Sequence, residues 1–254
     1  MSDAYWTQPF AWDRAAHAAG ERARVFCASM ADVFEDRDDL DPMRERLWDV
    51  IGRTPNLDWL LLSKRPQHVG RMVPWGSQWP DNVWLGTTIE SQRWAQRRAP
   101  LLLQYSARIR FVSCEPLLTP LDLAPWFTAP VGGHAIDWVI AGGESGHGAR
   151  PMNPGWTRAL RDQSAAYSVP FLFKQWGNWC PAVPGAEAGS RVRLLKTRAG
   201  TSVTMASLGK KAAGRLLDGR EWNEVPNPPA RPLIFDAAGA GAGISPSPLQ
   251  YSAG

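Results

Sequence analysis

The chain has 254 residues, of which 44% are hydrophobic and 20% are charged, which is enough for one large α/β domain or two small ones. No window approaches the roughly 18 consecutive apolar residues of a membrane span, and the N-terminus lacks the basic and apolar regions of a signal peptide. Three widely separated cysteines exclude a disulfide framework. The sequence therefore predicts a cytoplasmic protein without a membrane partner.

The net charge of +4 is distributed unevenly along the chain. Residues 191–220 contain eight basic residues and one acid, Asp218, so this segment carries +7 and the rest of the chain carries −3. Such a segment is typical of a surface that binds nucleic acid or another polyanion. Its plainer interpretation is a solvated basic face. The partner that this segment suggests is nucleic acid.

Six short apolar runs follow a first helix, which is predicted from about residue 9 to residue 19. Each run has four to six residues that are mostly β-branched, aromatic or Leu, as is typical of buried parallel strands. The runs start 24 to 35 residues apart, close to the roughly 30 residues of one strand and its crossover helix. The predicted strands cover residues 24–29, 59–63, 83–87, 109–113, 138–141 and 171–174.

Helices are predicted between these strands. Asp41-Pro42 begins one because Pro fits the first turn of a helix, and residues 90–103 form another. Asn153-Pro154 is typical of an N-cap followed by Pro at the first helical position, which predicts a helix over residues 155–166. The alternation is typical of an open (βα)6-type partial barrel or of a doubly wound sheet, and spacing alone does not separate the two.

The alternation stops near residue 177, so the chain is expected to have three regions. Residues 1–180 form the α/β domain, residues 181–224 a small basic extension packed on it, and residues 225–254 a disordered tail rich in Pro, Ala, Gly and Ser. Within the extension, residues 192–195 are predicted to form a strand and residues 210–217 a short helix.

Polar side chains follow all six predicted strands. In both α/β architectures the functional site lies at the carboxyl ends of the parallel strands, so this convergence predicts a site. Taken singly, each residue is explained equally well as part of a polar loop. The residues are Ser29, Asp32, Ser63, Lys64, Arg65, Thr87, Thr88, Glu90, Ser113, Cys114, Glu115, Glu144, Ser145, Lys174 and Gln175.

The most specific of these segments is Gly142-Gly143-Glu144-Ser145. Glycines at the end of a strand permit a tight turn and the close approach of a ligand, and Glu144 is a suitable partner for an amine or a hydroxyl. An ordinary glycine turn is the alternative interpretation. The segment is not the dinucleotide-binding G-x-G-x-x-G pattern, and the chain has no phosphate-binding G-x-x-x-x-G-K-S/T motif.

Two sets of candidate site residues result. The candidate catalytic residues, as acid–base or electrostatic groups, are Glu115, Glu144, Lys64 and Lys174. The candidate cofactor-binding residues are Ser29, Asp32, Thr88, Glu90, Ser113, Gly142, Gly143, Glu144, Ser145 and Gln175. Cys114 is more simply a buried structural thiol, because no histidine is placed by the sequence as its base. No metal-ligand set is predicted.

The motifs also resemble those of a known family. They are Val25-Phe-Cys-Ala-Ser-Met-Ala-Asp-Val-Phe-Glu35, Leu60-Leu-Leu-Ser-Lys-Arg-Pro66, Asn82-Val-Trp-Leu-Gly86, Arg110-Phe-Val-Ser-Cys-Glu-Pro-Leu-Leu118, Asp137-Trp-Val-Ile-Ala-Gly-Gly-Glu-Ser-Gly146, Phe171-Leu-Phe-Lys-Gln-Trp-Gly177 and Gly209-Lys-Lys-Ala-Ala-Gly-Arg-Leu-Leu-Asp-Gly219. In this order, between Tyr5 and Pro226, they resemble an uncharacterised family of phage and bacterial proteins with a three-cysteine motif. That family is similar to radical S-adenosylmethionine enzymes.

The resemblance implies an open (βα) barrel and, for full-length family members, a [4Fe–4S] cluster with bound S-adenosylmethionine. The family's three cysteines precede the region matched by Tyr5-Trp6, so this chain is expected to bind no cluster through that motif and no cofactor as written. Cys27, Cys114 and Cys180 lack the close spacing of cluster ligands.

Three functional hypotheses follow. The first is a radical S-adenosylmethionine enzyme scaffold that acts on nucleic acid or protein, here without its cluster. The second is a nucleic-acid-binding accessory module. The third is a cluster-independent barrel hydrolase or lyase that uses Glu115 or Glu144 with Lys64 or Lys174.

Overall fold

The computed structural model describes residues 3–27, 31–182, 190–196 and 202–227. Ser29, a predicted cofactor-binding residue, lies outside the described residues, and so does the predicted tail from residue 228 onward. The strand predicted over residues 24–29 is described as far as residue 27. Within these ranges, none of the helices has the length and the apolar character that a membrane crossing requires.

The six strands predicted from the apolar runs are all present, and helices separate most of them. The first strand follows a helix that begins at Asp3, earlier than predicted, and that includes Pro9. In chain order the elements are α1 (Asp3–Ala19), β1 (Ala23–Cys27), α2 (Asp41–Gly52), β2 (Leu57–Ser63), α3 (Pro66–Met72), β3 (Val83–Thr88), α4 (Gln92–Leu102), β4 (Ile109–Cys114), β5 (Trp138–Gly142), α5 (Pro154–Ala166), β6 (Phe171–Gln175), β7 (Trp179–Pro181), β8 (Arg191–Lys196), β9 (Ser202–Ser207) and α6 (Lys210–Ala213).

The first six strands form one sheet in the order β1-β2-β3-β4-β5-β6. The pairs β1–β2, β4–β5 and β5–β6 are parallel. A doubly wound sheet reverses its strand order at a switch point, whereas each strand here lies beside its neighbour in sequence. The fold is therefore α/β with the strand order of a partial (βα) barrel, which the chain spacing alone left undecided.

The chain folds into two compact units. Of the described residues, the first unit contains those up to residue 85, residues 106–109 and Asn227, and the second contains residues 86–105 and those from 110 to 226. In the first unit β2 is buried along almost its whole length, which explains its continuous apolar sequence. Arg22 forms an ion pair with Asp58 of β2 at 2.7 Å beside the start of this strand.

In the second unit β5 and β6 are hydrogen-bonded to a later part of the chain. Trp138 on β5 is buried and its indole Nε1 donates to the carbonyl oxygen of Glu224 at 2.9 Å. The backbone N–H of Phe173 on β6 donates to the carbonyl oxygen of Trp222 at 2.9 Å. Residues near the end of the basic extension therefore hydrogen-bond to the parallel sheet.

The basic extension itself forms a second, antiparallel sheet with the order β7-β9-β8. The strand predicted over residues 192–195 is β8, whereas β7 and β9 were not predicted. The helix predicted over residues 210–217 ends at Ala213, because Gly214 adopts a φ of 67° that a helix does not continue through. A positive φ of this kind favours glycine.

Asp218 fastens the extension to α5, and its pairing is expected to make stability depend on pH. Its carboxylate accepts from Arg158 at 2.7 Å and from Arg161 at 2.6 Å. The hydrogen bond from Arg158, supplemented by that from Arg161, lowers the pKa of Asp218 from its usual 3.8. The stabilisation is therefore fully present above pH 3.8 and is lost as pH falls through the lower, folded-state pKa.

Asp218→Asn tests this linkage, since Asn tolerates the left-handed backbone at this position (φ 54°), removes the charge and leaves one of the two accepting oxygens. At pH 7 we expect the free energy of unfolding to fall by about 0.5–1 kcal/mol, because solvent screens a pair at which the carboxylate is 35% exposed. Urea unfolding of the variant and the parent at a series of pH values measures this difference in the free energy of unfolding. A difference from the parent that stays constant down to pH 2 would contradict the proposed linkage.

Candidate functional site

The predicted site residues fall in both units. Asp32 and Lys64 belong to the first unit, and the remaining described candidates belong to the second. The first unit is therefore considered separately from the second.

In the first unit, Asp32 is enclosed by hydrogen-bond donors. Its carboxylate accepts from the Ser63 hydroxyl at 2.8 Å, from the Lys64 backbone N–H at 2.9 Å and from the Arg65 guanidinium at 3.0 Å, and it also accepts from the Phe34 backbone N–H at 3.0 Å. These bonds tie the segment after β1 to the end of β2. Asp32 therefore has a structural explanation, and the Lys64 residue is exposed.

In the second unit, Glu115 lies directly after β4 and contacts the last two residues of β6. Its Oε2 contacts the Lys174 Nζ at 2.9 Å, and its Oε1 accepts from the Gln175 side-chain amide at 2.9 Å. The partners lie 59 and 60 residues further along the chain. The Glu115 side chain is 18% exposed and that of Lys174 is 30% exposed, so the ion pair is accessible from solvent but largely desolvated.

An irregularity in the sheet explains how consecutive residues reach the same carboxylate. Neighbouring residues in a regular strand point to opposite faces. Ala141 of β5 pairs with Phe173, but Gly142 pairs with Gln175, so the register shifts there and Lys174 is the extra residue on β6. Because an extra residue re-aims side chains, Lys174 and Gln175 both reach Glu115.

The loop that carries Glu115 is fixed by the two neighbouring strand ends. The backbone N–H of Leu117 donates to the carbonyl oxygen of Gly142 at 2.9 Å, and that of Leu118 donates to the carbonyl oxygen of Glu90 at 3.0 Å. Gly142 also lies against the Glu115 side chain, where a Cβ would come within 3.0 Å of Oε1. The glycine thus leaves room for the carboxylate to meet its partners. We call Glu115, Lys174 and Gln175, with Gly142 beside them, the strand-end site.

Ser113, Cys114 and Thr88 lie within the buried strands beside this site. Ser113 and Thr88 are 3% and 2% exposed, respectively. The Cys114 residue is completely buried, and burial, with a smaller contribution from the Glu90 charge, raises the pKa of its thiol well above the usual value. A neutral buried thiol is a poor nucleophile, so Cys114 matches its predicted structural role.

Glu90 serves a neighbouring arginine. Its carboxylate pairs with Arg98 of α4 at 3.0 Å, and the same guanidinium donates to the carbonyl oxygen of Thr88 at 2.7 Å. The guanidinium also lies 3.9 Å from the ring centroid of Trp94. This arrangement braces the end of β3 against α4. Sequence reasoning missed Arg98, although an arginine two turns into a helix that follows a strand-end glutamate was an available signal.

The glycine-rich segment packs against backbone. A Cβ on Gly143 would overlap the carbonyl oxygen of Trp176, and one on Gly177 would overlap the carbonyl oxygen of Glu144. The backbone N–H of Asn178 donates to that same Glu144 oxygen at 2.9 Å. The close approach predicted for a ligand at Gly143 is therefore made by the chain itself.

Glu144 forms an ion pair with Arg150, a residue that the sequence analysis did not identify. Its carboxylate accepts two bonds from the Arg150 guanidinium, at 2.7 and 2.8 Å, and one from the Arg150 backbone N–H at 2.8 Å. The side-chain hydrogen bond from Arg150 lowers the pKa of Glu144 below its usual value. Ser145 is exposed on the loop between them. The strand-end site therefore includes Glu115 and Lys174, whereas Glu144 closes its own loop.

The three cysteines do not make a cluster site. Cys27 lies on β1, Cys114 on β4 and Cys180 on β7, and desolvation raises the pKa of the Cys27 thiol to about 12. Iron–sulfur clusters require several converging thiolates. In the part of the chain that the structure describes, no group of three or more His, Cys, Asp or Glu side chains is arranged to hold a metal ion.

The chain is an α/β protein whose parallel strands have the order of a partial barrel. A polar, partly buried group of side chains lies at the carboxyl ends of these strands. Residues 1–226 match the family model described as "Protein of unknown function (DUF5131)", and the chain belongs to that family. No curated protein and no solved structure matches the chain.

The contact of Gly177 with the glycine-rich segment is expected to be indispensable for stability. Gly177→Ala introduces a left-handed alanine and a clash with rigid backbone, whereas Gly148→Ala introduces only the left-handed alanine. The φ values of Gly177 and Gly148 are 79° and 74°, so the two substitutions have the same backbone cost of about 1–2 kcal/mol.

We expect Gly177→Ala to lower the free energy of unfolding by about 1–3 kcal/mol more than Gly148→Ala, which is the cost of overpacking. Urea unfolding of both variants gives the difference directly. Equal losses would mean that the segment separates freely from residues 176–178.

Proposed function

We propose that this chain is a radical S-adenosylmethionine-type barrel scaffold whose second unit binds S-adenosylmethionine through its amino-acid end at the strand-end site. The observation that carries the proposal is the network in which Glu115, directly after β4, meets Lys174 and Gln175 at the end of β6. Carboxyl ends of parallel strands are the usual position of ligand sites in α/β folds.

The charges of the strand-end site complement an amino-acid zwitterion. A ligand ammonium group is a suitable partner for the Glu115 carboxylate, and a ligand carboxylate is a suitable partner for the Lys174 ammonium group, each in a charge-assisted hydrogen bond. The two groups lie 2.9 Å apart, so both ends of an α-amino acid are within reach of one point. Gly142 keeps the space beside Glu115 open.

The order of motifs supports the choice of ligand. Over residues 5–226 the motifs resemble the uncharacterised three-cysteine-motif family, which is similar to radical S-adenosylmethionine enzymes. When bound, S-adenosylmethionine supplies a reactive sulfonium centre. In the proposal, the Glu115 carboxylate and the Lys174 ammonium group bind and orient the amino-acid end of the ligand. Gln175 donates to the second oxygen of the Glu115 carboxylate and so fixes its position.

The proposal does not include an iron–sulfur cluster. Cys27, Cys114 and Cys180 lie on three different strands, and burial keeps Cys114 protonated. These thiols do not fit a [4Fe–4S] cluster, so no reaction step is assigned to one. The proposal concerns ligand binding by the described side chains.

The test is calorimetric titration of the full chain with S-adenosylmethionine, S-adenosylhomocysteine and 5′-methylthioadenosine. The first two carry the amino-acid end and the third lacks it. We expect the third to bind at least tenfold more weakly, because it forms no charge-assisted bond with Glu115 or Lys174. Equal binding of all three ligands, or no binding of S-adenosylmethionine, overturns the proposal without reference to any variant.

Variants then assign the residues. Glu115→Gln and Lys174→Met are each expected to weaken S-adenosylmethionine binding by about 10- to 100-fold, the effect of one hydrogen bond to a charged group. Glu221→Gln and Lys211→Met are matched controls at exposed positions and are expected to leave the dissociation constant within twofold. Thermal unfolding checks that each variant is folded, and equal losses in test and control variants would contradict the assignment.

A further inference from the structure

The structure divides the basic segment of residues 191–220 into two parts with different surroundings. In the part after α6, Arg215 pairs with Glu221 at 3.8 Å and Arg220 lies 3.4 Å from the ring centroid of Trp222. The acid of the segment, Asp218, is shared by Arg158 and Arg161. In this part Arg215 and Asp218 are therefore paired with groups of opposite charge, whereas Arg220 contacts a tryptophan ring and keeps its charge.

The other part is β8, where the cations are arranged differently. β8 is the edge strand of the order β7-β9-β8, and five of its six residues are exposed. Arg191, Arg193 and Lys196 are its charged residues. Among the described residues, no carboxylate forms an ion pair with any of these three side chains. Within β7, β8 and β9 the sequence contains no acidic residue.

A buried tryptophan orients two of the cations without neutralising them. Arg191 and Arg193 lie two residues apart on β8, which places both on one face of the sheet. Their guanidinium carbons lie 5.8 and 5.9 Å from the ring centroid of Trp179 on β7. A cation–π contact attracts the guanidinium but leaves its positive charge in place.

Further cations adjoin the same end of the sheet. Arg191 pairs across the sheet with Ser207, the last residue of β9, and α6 begins three residues later with Lys210 and Lys211. Both lysine residues are exposed. Lys196 follows Arg193 by three residues and therefore lies on the opposite face of β8. On their shared face, Arg191 and Arg193 lie about 7 Å apart along the strand. This distance matches about two steps between phosphates of one duplex strand, which are roughly 3.4 Å apart along the helix axis.

We infer that the surface formed by β8 and the start of α6 binds the phosphate backbone of nucleic acid without sequence preference. Phosphate is the partner that guanidinium groups recognise through paired hydrogen bonds. Trp179 is 3% exposed and is therefore not available for stacking on a base, so the contacts fall on the backbone. This inference is independent of S-adenosylmethionine binding, because none of its residues belongs to the strand-end site.

The test is fluorescence anisotropy of the full chain with a labelled 20-base-pair DNA duplex and the corresponding single strand, each in two unrelated sequences, between 50 and 300 mM NaCl. Because each phosphate contact releases counterions, log K is expected to fall linearly with log salt by roughly 0.9 per contact for a duplex and 0.7 for a single strand. Either strand form bound with similar affinity in both sequences supports the inference. No binding at 50 mM NaCl overturns it.

A pair of variants localises the contact. Arg191→Gln/Arg193→Gln is expected to weaken binding at least tenfold at 50 mM NaCl and to reduce the magnitude of the salt slope by about 2. The matched control is Arg93→Gln/Arg97→Gln on α4, where two exposed arginines lie 5.9 and 5.6 Å from the Trp94 ring centroid. Both variants lose two charges beside a tryptophan, so equal losses would mean that net charge alone drives binding and would overturn the inference.

Polyglutamate provides the last discrimination. If it displaces the labelled nucleic acid at equal charge concentration, the surface binds any acidic polymer and the inference for nucleic acid is wrong. Unlabelled nucleic acid competing at a concentration at least tenfold lower than polyglutamate supports it. Circular dichroism of both arginine variants establishes that β8 and α4 remain folded.

Discussion

The register shift between β5 and β6 is the constraint on which the strand-end site depends. Without it, Lys174 and Gln175 would point to opposite faces of the sheet, and only one of them would reach Glu115. With it, Gly142 pairs with Gln175, and both side chains bind the same carboxylate. The glycines hold this geometry, because Gly143 and Gly177 allow the chain to approach itself where any side chain would intrude. An irregularity of one residue thus converts a strand end into a charged site.

The strand-end carboxylates differ in what they do because each meets a different cation. Glu90 braces Arg98 against Trp94, and Glu144 closes the loop that leads to Arg150. Glu115 instead meets a lysine from another strand end at a partly exposed position. A carboxylate whose cation lies within its own loop or in the following helix is satisfied locally. The Glu115–Lys174 pair depends on tertiary packing, as does the structural pair of Asp218 with Arg158. What distinguishes Glu115 is its place at the carboxyl ends of the parallel strands, where ligand sites of α/β folds lie.

Apolar runs predicted the strands well, since a buried parallel strand must be apolar along its length. Asn153 predicted the start of α5 because its side chain accepts from the Gly155 N–H, as an N-cap does. The sequence also suggested the chemistry of Glu115 and Lys174, but not their contact, because the extra residue on β6 becomes visible only once the sheet register is known. The strand β7 escaped prediction since it has only three residues, and β9 since half of its residues are polar. The role expected of Gly143 changed for a similar reason, as Trp176 occupies the space that a ligand was expected to fill.

The segment after β5 connects the strand-end site with the antiparallel sheet inside the second unit. The side-chain amide of Asn178, just before β7, donates to the carbonyl oxygen of Gly146 at 2.7 Å, and the Trp179 indole on β7 donates to that of Ala149 at 2.7 Å. The same Trp179 orients Arg191 and Arg193. Trp179 therefore contacts both the loop after β5 and the two arginines of the basic strand.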